Sequence, residues 1–197
     1  MSWIPLINDE PYTFTTSDLS ALIHGEEHSG ASLFTMSLLS QLYFQGEPLI
    51  LVTASPQTKE EFLTQTCGNK DFISVTHEEN VSQAEEKQVI HLLKDAEALL
   101  PKLLKILEDK TQRIVLLKNI ELLSPQTLAL FYDHPLTIFS GNLNTCSEKE
   151  PLLQLKYNAK IFFSPLHNDF RLTLPPLEKY HGYYQGKLSQ GIVSLLQ

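Results

Sequence analysis

Short, wholly apolar runs separated by stretches of helical period constrain this chain more than any other feature. Pro48-Leu-Ile-Leu-Val-Thr53 and Arg113-Ile-Val-Leu-Leu-Lys118 show no polar alternation, so a strand built from either must be covered on both faces. Leu19-Ser-Ala-Leu-Ile-His24, Asp71-Phe-Ile-Ser-Val75, Leu136-Thr-Ile-Phe139 and Ala159-Lys-Ile-Phe-Phe163 read as further strands. Between them, Leu33, Met36, Leu39 and Tyr43 recur at helical spacing within Ala31 to Phe44. Ser55-Pro56 and Ser124-Pro125 are helix starts, a cap residue followed by Pro at the first helical position. From Ala84 to Leu107 the residues Val89, Leu92, Leu93, Ala96, Leu99, Leu100, Leu103 and Leu107 form one stripe. This predicts a long helix that Pro101 kinks or divides.

Strands and helices in regular alternation imply right-handed crossover units and a mostly parallel sheet with helices on both faces. The stretch from Phe170 to Leu196, with turns expected at Gly182 and Gly186, predicts antiparallel strands at the C-terminal edge. No following helix is available to cover them. The chain has 197 residues, no internal repeat and no linker-like tract, so the reading is one three-layer α/β domain over residues 1–197.

Composition then removes whole classes of function. Fifteen basic residues against 23 acidic ones leave a net charge of −8, which excludes a broadly basic nucleic-acid binder or a polybasic membrane-surface protein. Only Lys102, Lys105 and Lys110 are even mildly grouped. Cys67 and Cys146 are far apart and form no CxxC, so neither a zinc site nor a disulfide framework is indicated. No secretory signal and no membrane-length apolar run is visible, so the expected setting is a reducing one, cytoplasmic and/or nuclear.

The informative motif lies after the first of these strands. Gly25-Glu-Glu-His-Ser-Gly30-Ala31-Ser32 has the G-x-x-x-x-G-[K]-[S/T] spacing of a phosphate-binding loop, between a strand and a helix as that loop requires. Such glycines let backbone N–H groups curl round phosphate oxygens at a helix N-terminus. The Lys that reaches the β- and γ-phosphates is replaced by Ala31, and Glu26 and Glu27 fall where a polyphosphate would lie. A second test is independent of the first. Enzymes of this kind place an Asp after a later apolar strand to hold Mg²⁺, but Ile114 to Leu117 is followed by Lys118 and Asn119. The end of the second apolar strand, Thr53-Ala-Ser-Pro56, lacks an acidic residue to activate water. The loop geometry is kept while the chemistry is gone, so no catalytic residue, cofactor or metal is expected. Gly25, Gly30, Ala31 and Ser32 are a vestigial loop.

Competing motifs fare worse. His24-Gly-Glu-Glu27-His28 matches H-x-x-E-H, but that zinc pattern needs both His on one helical face, and Gly25 ends the strand between them. His77, His91, His134, His167 and His181 show no ligand spacing and read as surface or loop residues. There is no G-x-S-x-G elbow, and Cys67 has only Lys70 nearby to activate it. Tyr180, Tyr183 and Tyr184 carry too little positive charge with them for a nucleic-acid stacking platform and read as edge-strand packing.

With these residues in hand, the stretch from Ala21 to Thr53 resembles the RecA-like ATPase superfamily, in the branch holding KaiC-type proteins, recombinase paralogues and the small Elongator subunits. Members carry Lys-Thr or Lys-Ser at Ala31-Ser32 and an Asp where Lys118 or Asn119 stands, and this chain departs at both. Leu172-Thr-Leu-Pro-Pro-Leu177, Gly182, Gly186-Lys-Leu188 and Ile192 resemble the end of the Elongator complex protein 6 family. The Thr-Gly and Asp-Val of that family are absent here. The resemblance implies a pseudo-ATPase: a non-catalytic subunit of a hetero-oligomer of related RecA-like chains that supports modification of the transfer-RNA wobble uridine. Any contact with nucleic acid is then expected only through that assembly, and none with a membrane. The rival implication is a recombinase-paralogue accessory factor in homologous recombination and DNA repair. A soluble enzyme with another site on the same scaffold is a third reading. A recombinase partner needs a basic DNA-facing loop, and Ser140 to Glu150 and Ser164 to Phe170 set Lys149 against Glu148, Glu150 and Asp169.

Overall fold

The computed structural model describes residues 4–66, 68, 70–108, 112–169, 172–187 and 189–196. Eleven strands among them form a single sheet: β1 (Ile4–Ile7), β2 (Glu10–Pro11), β3 (Ala21–His24), β4 (Leu49–Thr53), β5 (Phe72–Val75), β6 (Val89–Leu93), β7 (Ile114–Lys118), β8 (Thr137–Gly141), β9 (Ala159–Phe162), β10 (Gly182–Gly186) and β11 (Gln190–Leu196). Their order across the sheet is β2-β1-β11-β10-β9-β3-β8-β7-β4-β6-β5. The seven strands from β9 to β5 in that order are parallel, and β10, β11, β1 and β2 are antiparallel to their neighbours. The fold is therefore α/β, a mostly parallel sheet with antiparallel C-terminal strands.

Helices α1 (Ala31–Phe44) and α2 (Gln57–Gln65) pack on one face, and α3 (Leu100–Leu107), α4 (Pro125–Ala129) and α5 (Lys149–Gln154) on the other. Because side chains alternate along a strand, each central strand feeds both cores. In β4, Leu49 and Leu51 join Phe34, Leu38 and Phe62 on the α1 side, while Ile50 and Val52 join Leu103, Leu117 and Phe139 on the other. This is why the β4 and β7 segments read as unbroken apolar runs. Helix α1 ends at Gly46 (φ 83°), whose left-handed backbone lets Gly46 and Glu47 N–H groups reach the Tyr43 and Leu42 carbonyls.

Four sequence expectations need correction. The helix predicted from Ala84 to Leu107 is instead strand β6, a 3-10 stretch at Lys94–Leu99, and α3. Val89, Leu92 and Leu93 have helical spacing, but Val-Ile-His-Leu-Leu is also a five-residue buried strand, and pairing with β4 and β5 decides the matter. Pro101 lies in the first turn of α3, where its missing N–H costs no hydrogen bond. Gly182 and Gly186 bound β10 rather than forming turns, and Leu172 to Lys179 has no regular structure. The edge at β11 is not open. Residues 4–7, not read as a strand from the sequence, pair with it from Ile4↔Leu196 to Ile7↔Val193. The free edges are β2, which is two residues long and ends in Pro11, and β5.

Candidate functional site

Residues 25–30 turn the chain from β3 into α1 at the carboxyl edge of the parallel strands. His28 (φ 62°) and Gly30 (φ 99°) are both left-handed, and Gly30 caps α1. Alternating handedness of this kind turns successive N–H groups inward, the shape that accepts an anion. Neighbouring strands hold the loop. Gly25 N–H donates to the Gly141 carbonyl at 3.2 Å, and Glu26 N–H donates to Ser164 Oγ at 3.0 Å. Within the loop, Ser29 N–H reaches the Glu26 carbonyl at 3.2 Å. The Ala31 methyl is buried and packs over Gly25, which has no room for a side chain.

The expected loop residues Gly25, Gly30, Ala31 and Ser32 are thus brought together at one strand-to-helix junction. Glu26 and Glu27 are not stacked across it. The Glu26 carboxylate accepts from Asn144 Nδ2 at 2.9 Å and lies 3.2 Å from His167 Nε2, while exposed Glu27 pairs with His28 at 3.5 Å. The zinc pattern is separated as expected. His24 is fully buried, taking Leu143 N–H on Nδ1 at 3.1 Å and facing Ser164 Oγ at 3.2 Å from Nε2, while His28 points to solvent. Burial pushes the His24 imidazole below its usual pKa, so it is a neutral brace beneath the loop. Among the described residues no group of three or more His, Cys, Asp or Glu is arranged to hold a metal.

Lys118 ends β7, two strand spacings (about 10 Å) from β3. Its register partners are Thr53 of β4 and Ser140 of β8, so it faces the α1 side of the sheet. Only 6% exposed, its ammonium donates to Thr58 Oγ1 at 3.4 Å and lies 3.6 Å from Glu61 Oε2, both on α2. Burial lowers its pKa and Glu61 works against that shift. The β6 correction adds a second apolar strand followed by an acidic residue, Asp95. That strand is four spacings (about 19 Å) from β3, too far to serve the loop.

Several neighbours of the loop were not read as site residues in the sequence. Glu121, three residues past Lys118, accepts Asn142 N–H on Oε2 at 2.9 Å and lies against Gly141. Asn144 and His167 tie the turns after β8 and β9 together, with His167 N–H donating to Asn144 Oδ1 at 2.8 Å. An acidic residue shortly after an apolar strand was the available signal for Glu121, whereas nothing local marks Asn144 or His167. The tyrosines divide. Tyr183 and Tyr184 lie in the interior strand β10, and Tyr180 lies against Gly30. His91, expected at the surface, is buried in β6, and His134 is half-buried. Cys146 is buried with its thiol pushed up, while Cys67, Lys110, Phe170 and Leu188 lie outside the described residues.

The fold has a counterpart among solved structures. The chain is similar to the genome packaging NTPase B204 from Sulfolobus turreted icosahedral virus 2 in complex with AMPPCP, with a TM-score of 0.55, covering 93% of this chain and 99% of that one. The same NTPase in complex with ATP-gammaS matches with a TM-score of 0.52, covering 93% and 98%. The α/β fold of this chain matches that of this NTPase. At 10% and 12% identity the likeness extends to the fold alone. No family model and no curated protein matches the sequence. Among the described residues no helix is long and apolar enough to cross a membrane.

Proposed function

We propose that this chain is a non-catalytic P-loop-fold subunit of a hetero-oligomer, a pseudo-ATPase in which the loop architecture serves assembly rather than turnover. One observation carries the reading. The end of β7, where a metal-holding carboxylate is required, presents the buried Lys118 ammonium paired with Glu61. A cation there repels Mg²⁺, and Ala31 removes the second charge that a polyphosphate needs. The loss of a phosphate-binding Lys by itself forfeits a charge-assisted contact of about 1.5–3 kcal/mol.

The assembly favoured by the C-terminal resemblance is the Elongator accessory ring of related RecA-like subunits, acting on transfer-RNA wobble uridine modification. A recombinase-paralogue role needs a cationic loop free to meet DNA. Here Lys149, which donates to the His167 carbonyl at 2.7 Å, is set against Glu148, Glu150 and Asp169.

Calorimetry with Mg-ATP should give no micromolar binding, and Ala31→Lys should improve binding slightly without restoring hydrolysis. Turnover above background in the unaltered chain would overturn the reading, and Glu121 would then be the first carboxylate to substitute. Co-purification from native extract tests the assembly: related P-loop-fold chains are expected, and a partnerless soluble monomer would remove it.

A further inference from the structure

We propose that Leu172–Tyr180 is a strap that closes over the phosphate-binding loop from within the chain, with Tyr180 occupying the approach to Gly30. The proposal rests on reading Gly25–Ser32 as such a loop. A glycine in that position lets a phosphate come close to the backbone, so the space its missing side chain leaves is the ligand's approach. Here that space is filled. A Cβ at Gly30 would lie 3.2 Å from Tyr180 Cα, 3.3 Å from its Cδ1 and 3.4 Å from its Cβ.

Tyr180 is itself placed by backbone and charge. Its φ of 64° is left-handed, in a turn closed by His181 N–H donating to the Glu178 carbonyl at 3.0 Å. The Lys179 ammonium stands 4.8 Å from its ring centroid. The strap is anchored at both ends and has no helix or strand between them. Leu172 and Leu174 pack on the α3 side of the sheet, Gly182 enters β10, and no regular structure joins them. Beneath it a cavity of about 680 Å³ runs between Ser29, Phe163 and Ser164 on the body and Leu174 to Leu177 on the strap. Tyr180 remains half exposed, so its ring can leave the loop without unpacking the sheet. The strap therefore holds the loop in its left-handed shape with no ligand, and opening it uncovers the N–H groups at the start of α1.

Tyr180→Gly deletes the ring and suits the left-handed backbone, so it tests the contact without straining the turn. In the full chain, amide exchange at Gly30, Ala31 and Ser32 should quicken at least about tenfold in Tyr180→Gly, with β3 and β8 amides unchanged. Tyr180→Phe, which keeps the ring, should match the wild type. In parallel, Mg-ATP should bind Ala31→Lys/Tyr180→Gly at least about tenfold more tightly than Ala31→Lys alone. Loop exchange equal in wild type and Tyr180→Gly overturns the strap, and so does equal affinity of the two Lys-bearing variants. If neither of those binds, exchange alone decides. Mg-ATP binding to the wild type would instead overturn the pseudo-ATPase reading, a distinguishable failure.

Discussion

The carboxyl edge of β3 and the half of the sheet around β4, β6 and β7 treat buried basic groups differently. Beneath the loop, both ring nitrogens of His24 are engaged, one by Leu143 N–H and the other facing Ser164 and Pro165. Across the sheet, among the described residues, Lys118 has partners only at 3.4 and 3.6 Å, and His91 faces Ser74 but leaves Nε2 buried without a partner. The loop side is satisfied, whereas Lys118 at the end of β7 and His91 in the middle of β6 carry unrecovered desolvation. At the carboxyl edge itself, the retained backbone geometry after β3 and the lost carboxylate at Lys118 of β7 are two strands apart.

Acid should break this contrast most strongly. Burial pushes the His91 imidazole down to about 4 from its ordinary 6.5, so the unfolded chain binds the extra proton between those values and the folded chain does not. Stability should fall by about 3 kcal/mol as pH drops through that window, then level off below it. Urea midpoints for wild type and His91→Leu at about pH 7 and about pH 4.5 check this. The variant should lose most of the slope, keeping a remainder from His24 and His134, whose pKa values burial also lowers. An unchanged slope would refute the assignment.

On the satisfied side, His24→Leu leaves the Leu143 N–H buried without an acceptor and should cost about 2 kcal/mol at neutral pH. Gly30→Ala is expected to cost about 1–2 kcal/mol from its left-handed backbone. Denaturant unfolding reads both, and a neutral result at either position would mean that the loop is less rigidly braced than its contacts indicate.

Lys118→Met should act in the opposite direction, gaining about 1 kcal/mol near neutral pH by removing a buried charge with long contacts. Because the folded-state pKa is lowered, the wild-type penalty is present below that pKa and fades as pH rises toward 10.5. The advantage of the variant should shrink over the same range. A loss of stability at neutral pH would show that the pair with Glu61 is net stabilising.

What the sequence by itself determined is the part built from local rules. The unbroken apolar runs at Leu49–Thr53 and Ile114–Lys118 could be satisfied only as doubly covered strands, and the loop's glycines fall at their expected spacing. The absence of Lys at Ala31 and of a carboxylate at Lys118 is equally plain in the letters. The tertiary structure alone decided between helix and strand at Val89–Leu93, since both periods fit and only pairing with β4 and β5 selects one. It alone brought Ile4–Ile7 to β11, Glu61 to Lys118, and Tyr180 onto Gly30, contacts that join residues as much as 192 positions apart. Such contacts leave no local periodicity, because their partners meet only after the crossovers have wound the sheet.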